Sequence, residues 1–181
     1  MPHAPSSYLT PWANFYVMTG SSAAALTGLM FVVITLVTGA DRSRRTPEGT
    51  AIFSTPTVLH FGAALFVSAT MSAPWDALIH PSLVLGFGAI CGVVYVLRVA
   101  VRIDRLEGYS ADIEDRLCHT VLPLVSYCAM LVGAWMLPAH AAAALFAVAA
   151  AVATLIFTGI HNAWDIVTFI AVAPKTPPDE S

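Results

Sequence analysis

The sequence predicts an all-α, polytopic membrane bundle of five transmembrane helices. Three observations predict it. First, 57% of the 181 residues are hydrophobic and 10% charged, with a mean hydropathy of +0.76. A soluble domain carries roughly 25% charged and about 45–50% apolar residues. Second, five apolar segments each reach the ~20 residues that cross a hydrocarbon layer of ~30 Å. Third, the basic residues all lie at the far ends of, or in the stretches after, the first, third and fifth of those segments. Eight Lys and Arg against eleven Asp and Glu, a net charge of −3, exclude a soluble globule. Hydrophobicity this high excludes a disordered chain. With no basic run beyond Arg42-Ser43-Arg44-Arg45, a nucleic-acid partner is not expected either.

The first segment runs from about Ala13 to Gly39. No Lys or Arg precedes it, so it is expected to stay as a helix rather than act as a cleaved signal. Asp41 to Pro56 form the first loop, with Pro47, Gly49 and Pro56 as breakers. The second segment covers about Thr57 to Ile79 and the third about Ser82 to Ile103, with His80-Pro81 as a tight hairpin between them. Gly108 stops the third. Ser110 or Asp112 caps the fourth, and Glu114 and Asp115 lie where negative charge suits its dipole. The fourth segment covers about Leu117 to Leu137. Pro138 turns the chain into the fifth, about Ala139 to Ala173. Lipid offers backbone amides no partner, so each segment must be helical. Residues 1–174 thus read as one membrane domain and 175–181 as a disordered cytoplasmic tail.

Charge orients the bundle. Arg42, Arg44 and Arg45, then Arg98, Arg102, Arg105 and Arg116, then Lys175 fall on one side if the chain crosses five times. By the positive-inside rule the N-terminus is outside and the C-terminus cytoplasmic. Trp12, Tyr16, Trp75 and Trp135 then form an outer aromatic belt, with Trp164 near the inner side. Cys91, Cys118 and Cys128 form no C-x-x-C pair and read as small buried thiols.

Two kinds of motif carry possible function. Gly20, Ala24 and Gly28 make a smooth stripe on the first helix, and Gly88 and Gly92 repeat it on the third; small-residue stripes let membrane helices approach closely. They predict packing seams and a homo-oligomer. The fifth helix carries Thr154, Thr158, His161, Asn162, Asp165 and Thr168 within an arc of about 120° at about 100° per residue. A carboxylate at mid-bilayer costs about 2.5 kcal/mol or more, so this strip is expected to face protein or water. His161 and Asp165, four apart, can bond to each other. His60, His119, Tyr95 and Arg98 come to similar depth on the other helices. His60, His119, His161, Asn162 and Asp165 are therefore candidates for a polar vestibule that binds an ion or relays protons. The competing expectation is that Arg98 pairs with Asp165 and the histidines bond to backbone carbonyls. His3, Asp76, His80 and His140 read as ordinary interface residues; no metal site and no resident cofactor are expected.

The run Trp12-x-x-Phe15, then Gly20-x-x-Ala23-Ala24-Ala25-Leu26-Thr27-Gly28-Leu29-x-Phe31-Val32, resembles the opening of small multipass bacterial proteins of uncharacterised function. The resemblance implies a bacterial inner-membrane location and transfers no catalytic residue. The leading expectation is a non-enzymatic channel or transporter for an ion or small solute, its path lined by the polar face of the fifth helix. A non-transporting accessory or scaffold protein is the alternative. A redox subunit with one haem between His60 and His119 comes third.

Overall fold

The computed structural model describes residues 5–40, 47–104 and 117–172. A short helix α1 (Pro5–Leu9) and a 3-10 turn (Thr10–Trp12) lead into α2 (Ala13–Ala40). Then come α3 (Pro47–Ser72), α4 (Ile79–Asp104), a π turn (Leu117–Val121), α5 (Leu122–Met136) and α6 (Ala141–Val172). The described chain is all-α, with five principal helices, α2 to α6. Four stretches are long and apolar enough to cross a membrane: Ser7–Thr35, Ile79–Arg102, Leu117–Met136 and Ala141–Asp165. The apolar part of α3 is the shorter Pro56–Ser72.

Prolines account for most differences from the expected boundaries. Pro56 does not break the chain but lies within α3, which starts at Pro47. It forgoes one i→i−4 hydrogen bond there. The turn after α3 spans residues 73–78 and contains Pro74, ending before His80-Pro81. Pro81 instead occupies the first turn of α4, where a missing N–H loses no helical acceptor. Pro123 lies two residues past the end of the π turn. It has no N–H to give an α-helical i→i−4 bond, and wider π turns are a common local response to such gaps. Expectations for Arg42, Arg44, Arg45, Arg105, Gly108, Ser110, Asp112, Glu114, Asp115, Arg116, His3, Lys175 and the tail lie outside the described residues.

Four helices form a ring: α3 packs on α6, α6 on α5, α5 on α4, and α4 closes on α3, while α2 lies chiefly along α3. The hairpins bring the starts of α2, α4 and α6 to one end, with the starts of α3 and α5 at the other, called here the loop end. α6 is the central helix, with 56% of its apolar stretch buried against 22%, 22% and 33% for the other three. Its Ala144, Val148, Val152 and Leu155 are wholly covered. Their three- and four-residue spacing puts them on one face.

Glycines set the closest approaches. A Cβ at Gly88 would stand 2.7 Å from Phe66 Cε1, and one at Gly133 2.8 Å from Val148 Cγ2. Real Cβ atoms do not come so near, so these notches seat the facing side chains. Outside the ring, Leu83, Phe87, Ile90, Val94, Leu97 and Val101 make an apolar stripe on α4, each 40–71% exposed. Such a surface suits acyl chains. The tryptophans agree in part: Trp135 is 82% and Trp164 67% exposed. Tyr16, by contrast, is a core residue at 1%. Of the cysteines only Cys118 is buried; Cys91 and Cys128 are exposed.

The stripe on α2 divides. A Cβ at Gly20 would lie 2.9 Å from Ser68 Cβ, whereas one at Gly28 meets nothing within 4 Å. Ala24 is exposed. Only Gly20 therefore serves packing inside the chain. Gly20→Ala is expected to lower stability by about 1 kcal/mol through overpacking, measured by SDS-induced unfolding. Gly28→Ala should stay within about 0.5 kcal/mol of wild type. Gly28→Leu, read by cross-linking in bilayers, tests whether the exposed remainder of the stripe is a seam between copies; unchanged cross-linked species would remove that role.

Candidate functional site

Thr57, His60, Phe61 and Ala64 are fully buried on α3, and their spacing places them on one face toward the ring interior. The His60 ring reaches across the bundle. Its Nδ1 lies 3.1 Å from the Tyr127 hydroxyl of α5, with the two rings 5.9 Å apart. α3 and α5 stand on opposite sides of the ring, so this hydrogen bond crosses its interior. Tyr127 can lie so deep because its ring is seated on Gly92 of α4, where a Cβ would stand 2.7 Å from Tyr127 Cγ. Phe61 uses the same device against α6, since a Cβ at Gly159 would be 2.9 Å from Phe61 Cζ. The Phe61–Gly159 contact puts His60 and Asn162 near one level, within about one helical turn of 5.4 Å.

The polar strip of α6 separates into three kinds of residue. Thr158 and Asn162, at one edge of the arc, are buried, at 3% and 0% exposure. His161 and Asp165 are paired, His161 Nε2 to Asp165 Oδ2 at 3.2 Å, with side chains 36% and 46% exposed. A half-exposed contact of this kind contributes at most about 1 kcal/mol. Thr154 and Thr168 return their hydroxyls to their own helix, donating to the Ala150 and Trp164 carbonyls. Only the edge carrying Thr158 and Asn162 faces the interior.

Buried polar groups are normally hydrogen-bonded. Here neither Asn162 Nδ2 nor Asn162 Oδ1 has a partner, and neither does His60 Nε2. The Tyr16 hydroxyl is in the same condition near the hairpin end. Between these two places the core is mostly apolar, with Ala64, Val67, Val152 and Leu155 covered, and the buried Thr19 and Ser68 hydroxyls 3.0 Å apart lie within it. Leaving a buried donor or acceptor unmet costs about 1–3 kcal/mol. These atoms are the chemically distinctive feature of the described interior.

The structure thus brings His60 and Asn162 into one region, with Thr158 one turn away. His119, in the π turn, is half-buried and within electrostatic reach of His60. Asp165 does not take Arg98 as its partner. Arg98 is exposed on α4, which packs mainly on α5 and not on α6. Gly20, Gly88 and Gly92 are packing positions; Ala24 and Gly28 are not. Sequence reasoning missed Tyr127 and Thr57. Thr57 lies three residues before His60, which is one face of a helix. Tyr127 gave only the weaker signal of a polar aromatic in the middle of an apolar run. Among the described residues no group of three or more His, Cys, Asp or Glu could hold a metal ion. No protein-family model, curated protein or solved structure matches the chain; by composition it is a multipass helical membrane protein.

Proposed function

We propose that this protein is a channel or transporter for a small polar solute, with its site inside a single chain between α3, α5 and α6. The observation that carries the reading is the set of unpartnered polar atoms on His60 and Asn162, sealed within an apolar bundle. A protein that only holds helices together gains nothing from unmet valences. The half-exposed His161–Asp165 pair brackets Asn162 on α6 and supplies a polar approach to them. The mostly apolar stretch between Asn162 and Tyr16, with the Thr19–Ser68 hydroxyl pair within it, then acts as the closed part of the path.

The membrane arrangement completes the reading. The apolar part of α3 has 17 residues, at the lower limit of about 17 for a crossing. Only an odd number of crossings gathers all eight basic residues on one side. Five crossings then give an outside N-terminus, a cytoplasmic C-terminus and a site in the cytoplasmic half. A bacterial inner membrane and a homo-oligomer complete the proposal.

Cysteine accessibility tests it. In a background with Cys91, Cys118 and Cys128 replaced by Ala, single cysteines at Thr158 and Asp165 are treated with a membrane-impermeant thiol reagent. Transport predicts modification of both, the Asp165 position reacting faster. The scaffold alternative is favoured by the Thr154 and Thr168 hydroxyls, which bond only within their own helix. It predicts that the Thr158 position stays unreactive, and that result would end the transport reading.

A further inference from the structure

We propose that the buried centre formed by His60, Tyr127 and Asn162 binds a small uncharged molecule of the amide class, one carrying an N–H donor beside a carbonyl acceptor. This rests on the transport reading and narrows its cargo from any ion or solute to an uncharged one.

Charge decides the first half. The buried polar side chains of the described residues are Thr, Ser, Tyr, His and Asn, with no Asp, Glu, Lys or Arg among them. An ion entering this centre would lose its hydration without meeting a fixed countercharge, which is unfavourable at any depth in the bilayer. Asp165 is held by His161 at 3.2 Å, and both side chains stay partly exposed rather than turned into the interior. They offer a polar entry outside the buried centre.

Shape decides the second half. The Asn162 amide holds an acceptor oxygen and a two-proton donor side by side in one plane, and both are unpartnered at 0% exposure. Another amide meets both at once, through two parallel hydrogen bonds. His60 supplies a third contact through Nε2. Its Nδ1 partner is a hydroxyl, able to donate or to accept, so the imidazole can settle in either tautomer. Nε2 therefore adapts to a carbonyl or to an N–H.

The test uses the full-length protein, 15N-labelled, in lipid bilayers. Solid-state NMR follows the His60 ring nitrogens and the Asn162 side-chain amide while formamide or urea is added, with acetate and guanidinium as charged molecules of similar size. Saturable shifts of both residues with formamide and urea, absent with the ions, are expected. Asn162→Leu should abolish the His60 response, and Asn162→Ser, a smaller polar change, should weaken it at least tenfold in concentration. No shift with formamide, equal shifts with acetate, or an undiminished His60 response in both variants would overturn the proposal. Osmotic swelling of proteoliposomes in formamide keeps the two readings apart. Binding without swelling supports this site and removes the transport reading, whereas swelling without shifts at His60 and Asn162 removes this site.

Discussion

Gly92→Ala is expected to destabilise the protein by about 3 kcal/mol, the upper range for overpacking of a filled core. The added methyl has nowhere to go. A Cβ at this position is blocked by three atoms of the Tyr127 ring, and that ring is 1% exposed. Either α4 and α5 separate or the ring turns. Turning it takes the hydroxyl from His60, and a lost buried hydrogen bond removes about another 1 kcal/mol. Unfolding in mixed micelles with increasing SDS measures the change. Tyr127→Leu should restore part of the stability in the Gly92→Ala background, because the collision is with the ring. A coupling of at least about 1 kcal/mol in the double-mutant cycle is the expected sign of direct contact. Wild-type stability for Gly92→Ala would mean that the ring does not lie on this glycine.

The comparison of Gly92 with Gly28 explains how far the sequence alone could reach. Both glycines repeat at four-residue spacing with a small neighbour, and composition treats them alike. One is the seat of a buried tyrosine and the other meets nothing. The difference lies in which helix passes opposite, and that depends on pairings between segments distant in the chain. Helix existence was easier to read, because hydrophobic length and the demand for internal backbone hydrogen bonds are local properties. Boundaries follow less well from the sequence where a proline sits inside or at the start of a helix. At the start of a helix a proline is harmless, and Pro81 shows it. The polar strip of α6 was readable as a strip, since its period is that of the helix. Its division into buried Asn162, paired His161 and Asp165, and self-bonded Thr154 and Thr168 was not. That division is set by α3 and α5 covering one edge of the arc and leaving the other open.

Asn162→Leu separates function from stability in the opposite direction. Most substitutions at a fully buried residue weaken a protein. This one is expected to strengthen it by about 1–3 kcal/mol, because it removes two unmet polar atoms and fills their place with an apolar side chain of similar size. The same change should abolish solute flux in proteoliposomes. Stability rising while activity disappears is the behaviour of a residue kept for its chemistry. A helix-joining role predicts the reverse, since an asparagine that bridges helices loses its bonds on replacement and the bundle weakens. Asn162→Ala makes the comparison sharper. It also removes the unmet amide but leaves a void, so its gain should be smaller than that of leucine or be cancelled by the cavity. SDS unfolding of the two variants beside wild type reads both terms. If leucine proves destabilising by more than about 1 kcal/mol, Asn162 is bonded within the resting bundle. The unpartnered amide would then no longer support a solute site in the interior.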